Sequence, residues 1–353
     1  MINFLHAADL HLDAPFRALP PEAAAARRRE QRRLLARLPE LAAGCDLVLL
    51  AGDLLDGETV WQETLEALRD ALAACAVPVF LAPGNHDCFT PGSPYAAGGW
   101  PGNVRIFSQS SPRSEVLPDL GVRVWGAAFT APETPSLLAG FRAPAEGLLQ
   151  LMVLHGAPGA APYNPITPEE IAASGLDYLA LGHIHRASGL LQSGRTAYAW
   201  PGCAMGRGFD ETGPKGVYLG QLDEAGCRLT FRPLDGRRYE TLAVAAGDDP
   251  LAAIEAALPP DTARDIYRIR LTGPCPPPDL AALREALAGR FFSLDLRDET
   301  TRPRSLWEDR GQDSLRGLFL DALAEREGVE PALRDLAARL GLAALEGREE
   351  DAL

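Results

Sequence analysis

Five of the six histidines in this 353-residue chain stand at or just beyond the end of a short apolar run. Asp9 and His11 follow "INFLHAA", Asp53 follows "LVLLAG", Asn85 and His86 follow "VFLAPG", His155 follows "LQLMVL", and His183 and His185 follow "YLALG". Short apolar runs bounded by Gly, Asp or Pro read as buried strands. In an open α/β sheet, polar side chains just past the carboxyl ends of strands converge on one place, where ligands bind. Five such placements in succession point to a sheet protein whose site is assembled from strand exits.

The spacers between the first runs agree with this. Residues 22–38 and 61–75 carry helical patterns, so the first half reads as βαβ units. Further strands are predicted at 104–107, 122–129, 149–154 and 177–181, with "TAYAWPG", "KGVYLGQLD" and "CRLTFRPLD" as antiparallel strands closing a second sheet. The expected fold class is α/β (α+β): over residues 1–240, a two-sheet βαβ sandwich flanked by helices. Residues 241–300 then spell β-α-β-α-β, a small separate α/β domain with Asp279 near the start of its second helix. Residues 301–353 are helical in pattern: Leu315, Leu318, Phe319, Ala322 and Leu323 share one face, and Leu333, Leu336, Ala337 and Leu340 share another.

A composition of 46% hydrophobic and 23% charged residues is that of a folded globular chain. The net charge is −14, and Lys215 is the one lysine. Such a chain repels phosphodiester backbones on average, so a nucleic-acid role requires a local basic patch, bound cations or a partner. Six cysteines without a CxxC pair argue against both a disulfide framework and a zinc knuckle. The N-terminus lacks a basic leader, and no run is apolar enough to cross a bilayer, so a cytoplasmic location is expected.

The strand-end set is mixed nitrogen and oxygen with no thiolate, which suits divalent ions such as Mn²⁺, Fe²⁺ or Zn²⁺. It holds more donors than one ion takes, so two ions are implied. Two ions roughly 3.5 to 4 Å apart, bridged by a carboxylate, suit in-line phosphoryl displacement by water.

In this order, "DLH", "GDLLD", "GNHD", "HG" and "GHIH" resemble the five motifs of calcineurin-like metallophosphoesterases. The flanking "FLHAADLHLDAPF" and "GRGFDETGPKG" resemble the DNA-repair exonuclease branch, with its SbcD-like and YhaO-like nuclease subunits. The resemblance covers residues 1–240, and the remainder only in layout. It implies that Asp9, His11, Asp53 and His185 hold one metal, that Asn85, His155 and His183 complete a second, and that Asp53 bridges them. It makes His86 the proton donor to the leaving 3′ oxygen and Asp56 the carboxylate that orients it. The two divalent ions would be Mn²⁺, with Fe²⁺, Zn²⁺ or Mg²⁺ as alternatives. It further implies a 3′ to 5′ exonuclease or single-strand endonuclease working on DNA in repair, with residues 241–300 as a capping domain. The terminal helices, which read equally well as packing on their own domain, would by this resemblance dock on an SbcC-like or YhaN-like coiled-coil ATPase, and the nuclease would tend to form a homodimer.

Other readings stand beside these. Asp56 also reads as a turn residue, while Asp13 and Asp87 read as turn residues or supports for the motif side chains. His6 lies inside the first strand and reads as a hydrogen-bonded interior histidine. The run "RRREQRRLLAR" at 27–37 reads as a solvated helix face, with a DNA-binding face as the alternative, whereas Arg207, in the loop after the last histidine pair, is placed to contact substrate phosphate. The chain departs from the related pattern at Pro201-Gly202-Cys203, where asparagine is usual in the third place. It departs again in "GRGFDETG", which lacks a basic or histidine residue before its glutamate. Both departures fall on the substrate side. A phosphoesterase for small phosphodiesters or nucleotides is the rival reading, and a non-catalytic scaffold subunit the third.

Overall fold

The computed structural model describes residues 1–345 except 58, 59, 160, 235, 303 and 304. Strands β1 (Ile2–Ala7), β2 (Leu47–Leu50), β3 (Val79–Leu81) and β4 (Val104–Ile106) alternate with helices α1 (Pro21–Leu35), α2 (Arg37–Ala42) and α3 (Gln62–Ala74). Next come β5 (Arg113–Leu117), β6 (Val122–Gly126), β7 (Leu149–His155), α4 (Pro168–Ala173), β8 (Tyr178–Gly182), β9 (Leu191–Ser193) and β10 (Thr196–Ala199). A hairpin of β11 (Gly216–Asp223) and β12 (Gly226–Pro233) closes this stretch. Two six-stranded sheets result, in the orders β12-β11-β1-β2-β3-β4 and β5-β6-β7-β8-β10-β9.

Strand periodicity explains why β1, β2, β3, β7 and β8 are apolar almost throughout. One set of alternate residues, including Phe4, Leu47, Leu49 and Phe80, packs against Val124, Leu151, Val153 and Ala180 of the other sheet. The opposite set, including Leu5, Val48, Leu50 and Leu81, packs against Leu35, Leu38, Leu68 and Leu72 of the helices. Strands buried on both faces have no use for polar alternation. Beyond those strands the chain emerges at one end, and there it turns polar.

Two expectations need correction. The hairpin β11–β12 does not close the second sheet; β11 pairs antiparallel with β1 and so extends the first. Only "TAYA" joins the second sheet, parallel to β8 and antiparallel to β9. The hairpin covers the edge that β1 would otherwise leave unpaired. The helix expected over 22–38 breaks at Ala36 into α1 and α2. Pro39 has no amide proton to donate to the Leu35 carbonyl, so the longer helix cannot run through.

Two compact units divide the chain. The first is Met1–Thr241 with Asp261–Arg268 and Gly289–Asp295; the second is Leu242–Pro260, Ile269–Ala288 and Leu296 onward. Strands β13 (Tyr239–Ala245), β14 (Ile266–Pro274) and β15 (Ser293–Thr301) form a three-stranded sheet in that order, with α5 (Pro250–Ala257) and α6 (Leu280–Ala286) between them in sequence. Asp279 caps α6, accepting from the Ala281 and Ala282 amides. Helices α7 (Leu315–Ala324) and α8 (Pro331–Leu345) pack through Leu320, Ala338 and Leu342, leaving Leu315, Leu318, Leu333 and Leu336 exposed. Residues 346–353 of the expected C-terminal segment lie outside the described residues. Among the described residues no helix is long and apolar enough to cross a membrane, and none of the six cysteines forms a disulfide.

His6 ties the two sheets together: fully buried in β1, it hydrogen-bonds the Tyr178 hydroxyl at 2.9 Å and the Leu181 carbonyl at 3.1 Å, both on β8. Burial drives its pKa down to about 3, against the opposing hydrogen bond to Leu181. Below about pH 6.5 the unfolded chain takes up a proton that the folded chain refuses, so this stability is present above that pH and drains as pH falls. Thermal melts in chelator should therefore show an acid limb for wild type that is flattened in His6→Gln between about pH 6.5 and 4.5, by up to ~1.4 kcal/mol per pH unit. Parallel limbs would show that His6 does not carry this dependence.

Candidate metal centre

Four side chains at the strand exits sit on left-handed backbone: Asp9 (φ 51°), His11 (φ 44°), Asp53 (φ 51°) and His183 (φ 97°). That region costs an L-residue roughly 1–2 kcal/mol, and such strain persists only where the surroundings impose it. Here the loops lock onto one another. The Asp9 amide donates to Gly52 O at 3.0 Å and the His11 amide to Asp53 O at 2.9 Å. The buried Asp87 carboxyl group accepts from the amides of Asp53 (3.2 Å), Leu54 (2.8 Å), Leu55 (3.2 Å) and Gly84 (2.8 Å), and from the Tyr95 hydroxyl (2.6 Å). Two glycines make room: a Cβ on Gly182 would collide with Ala51 O, and one on Gly84 with the Asp53 carboxylate.

The side chains form two sets with one shared member. In the first, His11 Nε2 lies 3.2 Å from His185 Nε2 and 3.7 Å from Asp53 Oδ2, and His185 Nε2 lies 3.9 Å from Asp9 Oδ1. In the second, His155 Nε2 lies 3.0 Å from Asn85 Oδ1 and 3.3 Å from Asp53 Oδ2, and His183 Nδ1 lies 3.3 Å from Asn85 Oδ1. Asp53 Oδ2 faces both sets, while its Oδ1 accepts from the His86 amide at 3.0 Å. Ile184, between His183 and His185, packs into the apolar cluster behind the second sheet, so both imidazoles leave the chain on the site's side.

The donor set fits divalent cations. His11 Nδ1 is 3.0 Å from Asp56 Oδ1, His185 Nδ1 is 2.6 Å from Glu211 Oε1, and His155 Nδ1 is 2.9 Å from Ala51 O. With each Nδ1–H donated outward, the neutral form of each ring would turn its Nε2 lone pair inward. Two such lone pairs facing at 3.2 Å, between His11 and His185, call for a cation. Burial pushes the Asp53 carboxyl up, but His155 and His11 outweigh it and hold the group well below the usual carboxylate range. Burial likewise pushes His155 down, yet Asp53 and Asp9 lift it to about 9. Burial and His155 together push His183 down to about 4. A proton on His155 thus supplies the positive charge that a metal would bring. Among the described residues, ligand atoms come within 4.8 Å of one another in three groups: Asp9, His11 and His185; Asp9, Asp53 and His155; His11, Asp53 and His86.

Residues 2–187 match the calcineurin-like phosphoesterase family, a stretch that is more than half of the chain and contains every residue of both sets. The chain belongs to that family. It is also 32% identical over 263 residues to the uncharacterized metallophosphoesterase YhaO of Bacillus subtilis (strain 168). That alignment takes in 69% of this chain and 63% of the relative, a little under two thirds of the latter's length.

The rim of this phosphoesterase site carries the remaining residues singled out from sequence. His86 is 45% exposed, its Nδ1 3.7 Å from Asp56 Oδ1, whereas the same carboxylate oxygen is 3.0 Å from His11 Nδ1. Asp56 therefore supports His11 more closely than His86. Arg207 donates to Asp56 Oδ1 at 3.2 Å and to Glu211 Oε1 at 2.9 Å, so its guanidinium lies between two carboxylates. His6 stays in the interior, away from both sets. Asp13 accepts from the Trp61 amide and the Thr64 hydroxyl and so fixes the start of α3.

Glu211 was not among the residues picked from sequence. It is buried, holds His185, and takes three further bonds from Arg207; burial opposes its ionisation, but His185 and Arg207 keep it well below the usual carboxylate range. Its signal was the glutamate in "GFDETG", too short a cue by itself. Tyr163, half-exposed with its ring 5.9 Å from that of His183, had no sequence signal at all.

Asp87 decides whether the loops can hold this shape. Asp87→Ala leaves four amides and a hydroxyl without their acceptor and should lower stability by more than about 3 kcal/mol, read from the urea midpoint. Asp87→Asn, which keeps one accepting oxygen, should lose less. An alanine variant within about 1 kcal/mol of wild type would show that the loops hold without this tie.

Proposed function

We propose that this phosphoesterase is a two-metal phosphodiesterase acting on DNA ends or single strands, in the manner of the SbcD-like and YhaO-like nucleases its sequence resembles. The observation that carries the chemistry is the position of Asp53 Oδ2, shared between Asp9, His11 and His185 on one side and Asn85, His155 and His183 on the other. Those seven residues would hold the two cations, with Mn²⁺ as the expected metal. The cations, when bound, supply charge neutralisation at the phosphate and a lowered pKa for the attacking water.

The chain's own groups do the rest. His86, at the mouth of the site with Asp56 beside it, would give a proton to the leaving oxygen. Asp56, His11, Arg207 and Glu211 form one chain of contacts that fixes His11 and His185 from behind. Arg207 is assigned a phosphate contact only if substrate draws it off these carboxylates. DNA as substrate is favoured by an open cleft of about 770 Å³ beside His183 and His185, with Arg186 and Lys215 on its walls. The exposed leucines of α7 and α8 suit docking on a coiled-coil ATPase of the SbcC or YhaN kind, and the same resemblance would have the chain form a homodimer. The net charge of −14 favours the rival reading, a phosphoesterase for small phosphodiesters. The presence of every site residue disfavours a scaffold.

Purified protein with Mn²⁺ should cleave both bis(p-nitrophenyl) phosphate and end-labelled single-stranded DNA, and Asp53→Asn should cleave neither. Turnover of the dye without any cleavage of DNA, even with a coiled-coil ATPase subunit added, would sink the DNA reading and leave the small-molecule one. His86→Ala should keep two metals per chain by calorimetry while kcat falls roughly 10²- to 10⁴-fold. Loss of a metal instead would make His86 a ligand.

A further inference from the structure

Two arginines lie close to the histidine pair, and they are in opposite situations. Arg207 is held by Asp56 and Glu211. Arg186, the residue after His185, is exposed, lines the cleft that His183 and His185 open into, and has no ion pair or hydrogen-bond partner among the described residues. Its backbone, by contrast, is fixed. Lys215 Nζ donates to His185 O at 3.1 Å, the Ser188 amide donates to Trp200 O at 3.0 Å, and the Gly189 amide donates to the Tyr218 hydroxyl at 2.7 Å. Gly202 packs so closely that an added Cβ would stand 3.0 Å from the Arg186 carbonyl carbon and 2.9 Å from the Ala187 amide nitrogen. The held backbone presents this unpaired guanidinium on the wall of a cleft that His183 and His185 also line, where an anion can reach it. Of the two carboxylates on the cleft wall, Glu211 is engaged by His185 and Arg207, which leaves only Asp210 in opposition.

We propose that Arg186 anchors a second phosphate of the substrate, the one adjacent along the chain to the phosphate being hydrolysed. This rests on the phosphodiesterase reading of the metal centre and adds to it a preference for substrates carrying at least two phosphates. A nucleic-acid strand and a small two-phosphate nucleotide share that chemistry, and different substrates tell them apart.

Wild type, Arg186→Ala and Arg186→Lys would be compared with Mn²⁺ on bis(p-nitrophenyl) phosphate, on a 5′-phosphorylated thymidine dinucleotide and on a thymidine decamer. Binding of the decamer would be followed in parallel by fluorescence anisotropy across a salt series. For Arg186→Ala, kcat and KM on the one-phosphate dye should match wild type, while kcat/KM on the dinucleotide and decamer falls roughly tenfold or more, chiefly through KM, with Arg186→Lys intermediate. The slope of log affinity against log salt should shrink by about 0.7, one phosphate contact on a single strand. A loss confined to the decamer would place the second phosphate on a longer strand and still support the anchor. Unchanged kinetics and salt slope on both nucleotides overturn it, as does an equal loss on the dye, which would make Arg186 a support of the metal centre. If wild type ignores the decamer but cleaves the dinucleotide, the DNA reading fails and the dinucleotide result alone decides the anchor. If wild type cleaves only the dye, both fall.

Discussion

A carboxylate that is 1% exposed must be answered by donors or by positive charge, and Asp53 is answered by both. One oxygen takes the His86 amide; the other is left facing His11 and His155. That division of labour gives the site its two-fold character. If both oxygens were met by backbone amides, as at Asp87, Asp53 would be a structural tie with nothing left for a cation. The neighbouring aspartates Asp53 and Asp87 thus differ in role because of what their loops aim at them, not because of residue type. Asp87 spends its acceptors so that the Asp53 loop can hold a left-handed turn and keep one oxygen free.

The architecture follows from the same need. Seven side chains from five strand exits meet only if the two sheets lie face to face with their parallel strands running out at one end. The shared apolar layer of Phe4, Leu49, Leu151 and Val153 holds the sheets in that relation, and His6 adds a polar tie across it. The connecting motifs keep glycine where backbones nearly touch: Gly182 against Ala51, and Gly84 against Asp53. The motif glycines are therefore packing requirements of the centre rather than general flexibility.

Much of this was legible in the sequence, for a definite reason. Apolar strands ending in aspartate, asparagine or histidine announce themselves locally, and their order suffices to place the residues at one end of a sheet. What was not legible depends on contacts between distant segments. Glu211 matters through its contacts with His185 and Arg207, and a lone glutamate in a loop carries no mark of that. The β11–β12 hairpin could have extended either sheet on its own pattern; the unpaired edge of β1 decided which. The elements β9 and α4 lack the length over which periodicity becomes a signal, and β5, with the sequence RSEVL, carries no apolar run.

The arginine run on α1 shows how far a charge pattern can mislead in both directions. Arg27 is not on a solvated face at all: it is fully buried, donates to Glu30 and to Gly206 O, and lies over the rings of Phe16 and Tyr239. Arg28 and Arg32 lie over Trp61, and Arg32 also pairs with Asp13. Half of the six arginines are thereby committed to the protein's own packing, so the run is neither a plain solvated surface nor a dedicated nucleic-acid track. The positive charge available to an anionic substrate has to be counted by partner rather than by sequence. Counted so, Arg207 is already matched by two carboxylates, and the unmatched guanidinium nearest in sequence to His183 and His185 is that of Arg186. A chain with a net charge of −14 can still offer a phosphate-selective cleft, because selectivity depends on which charges are left without partners at that cleft and not on the total.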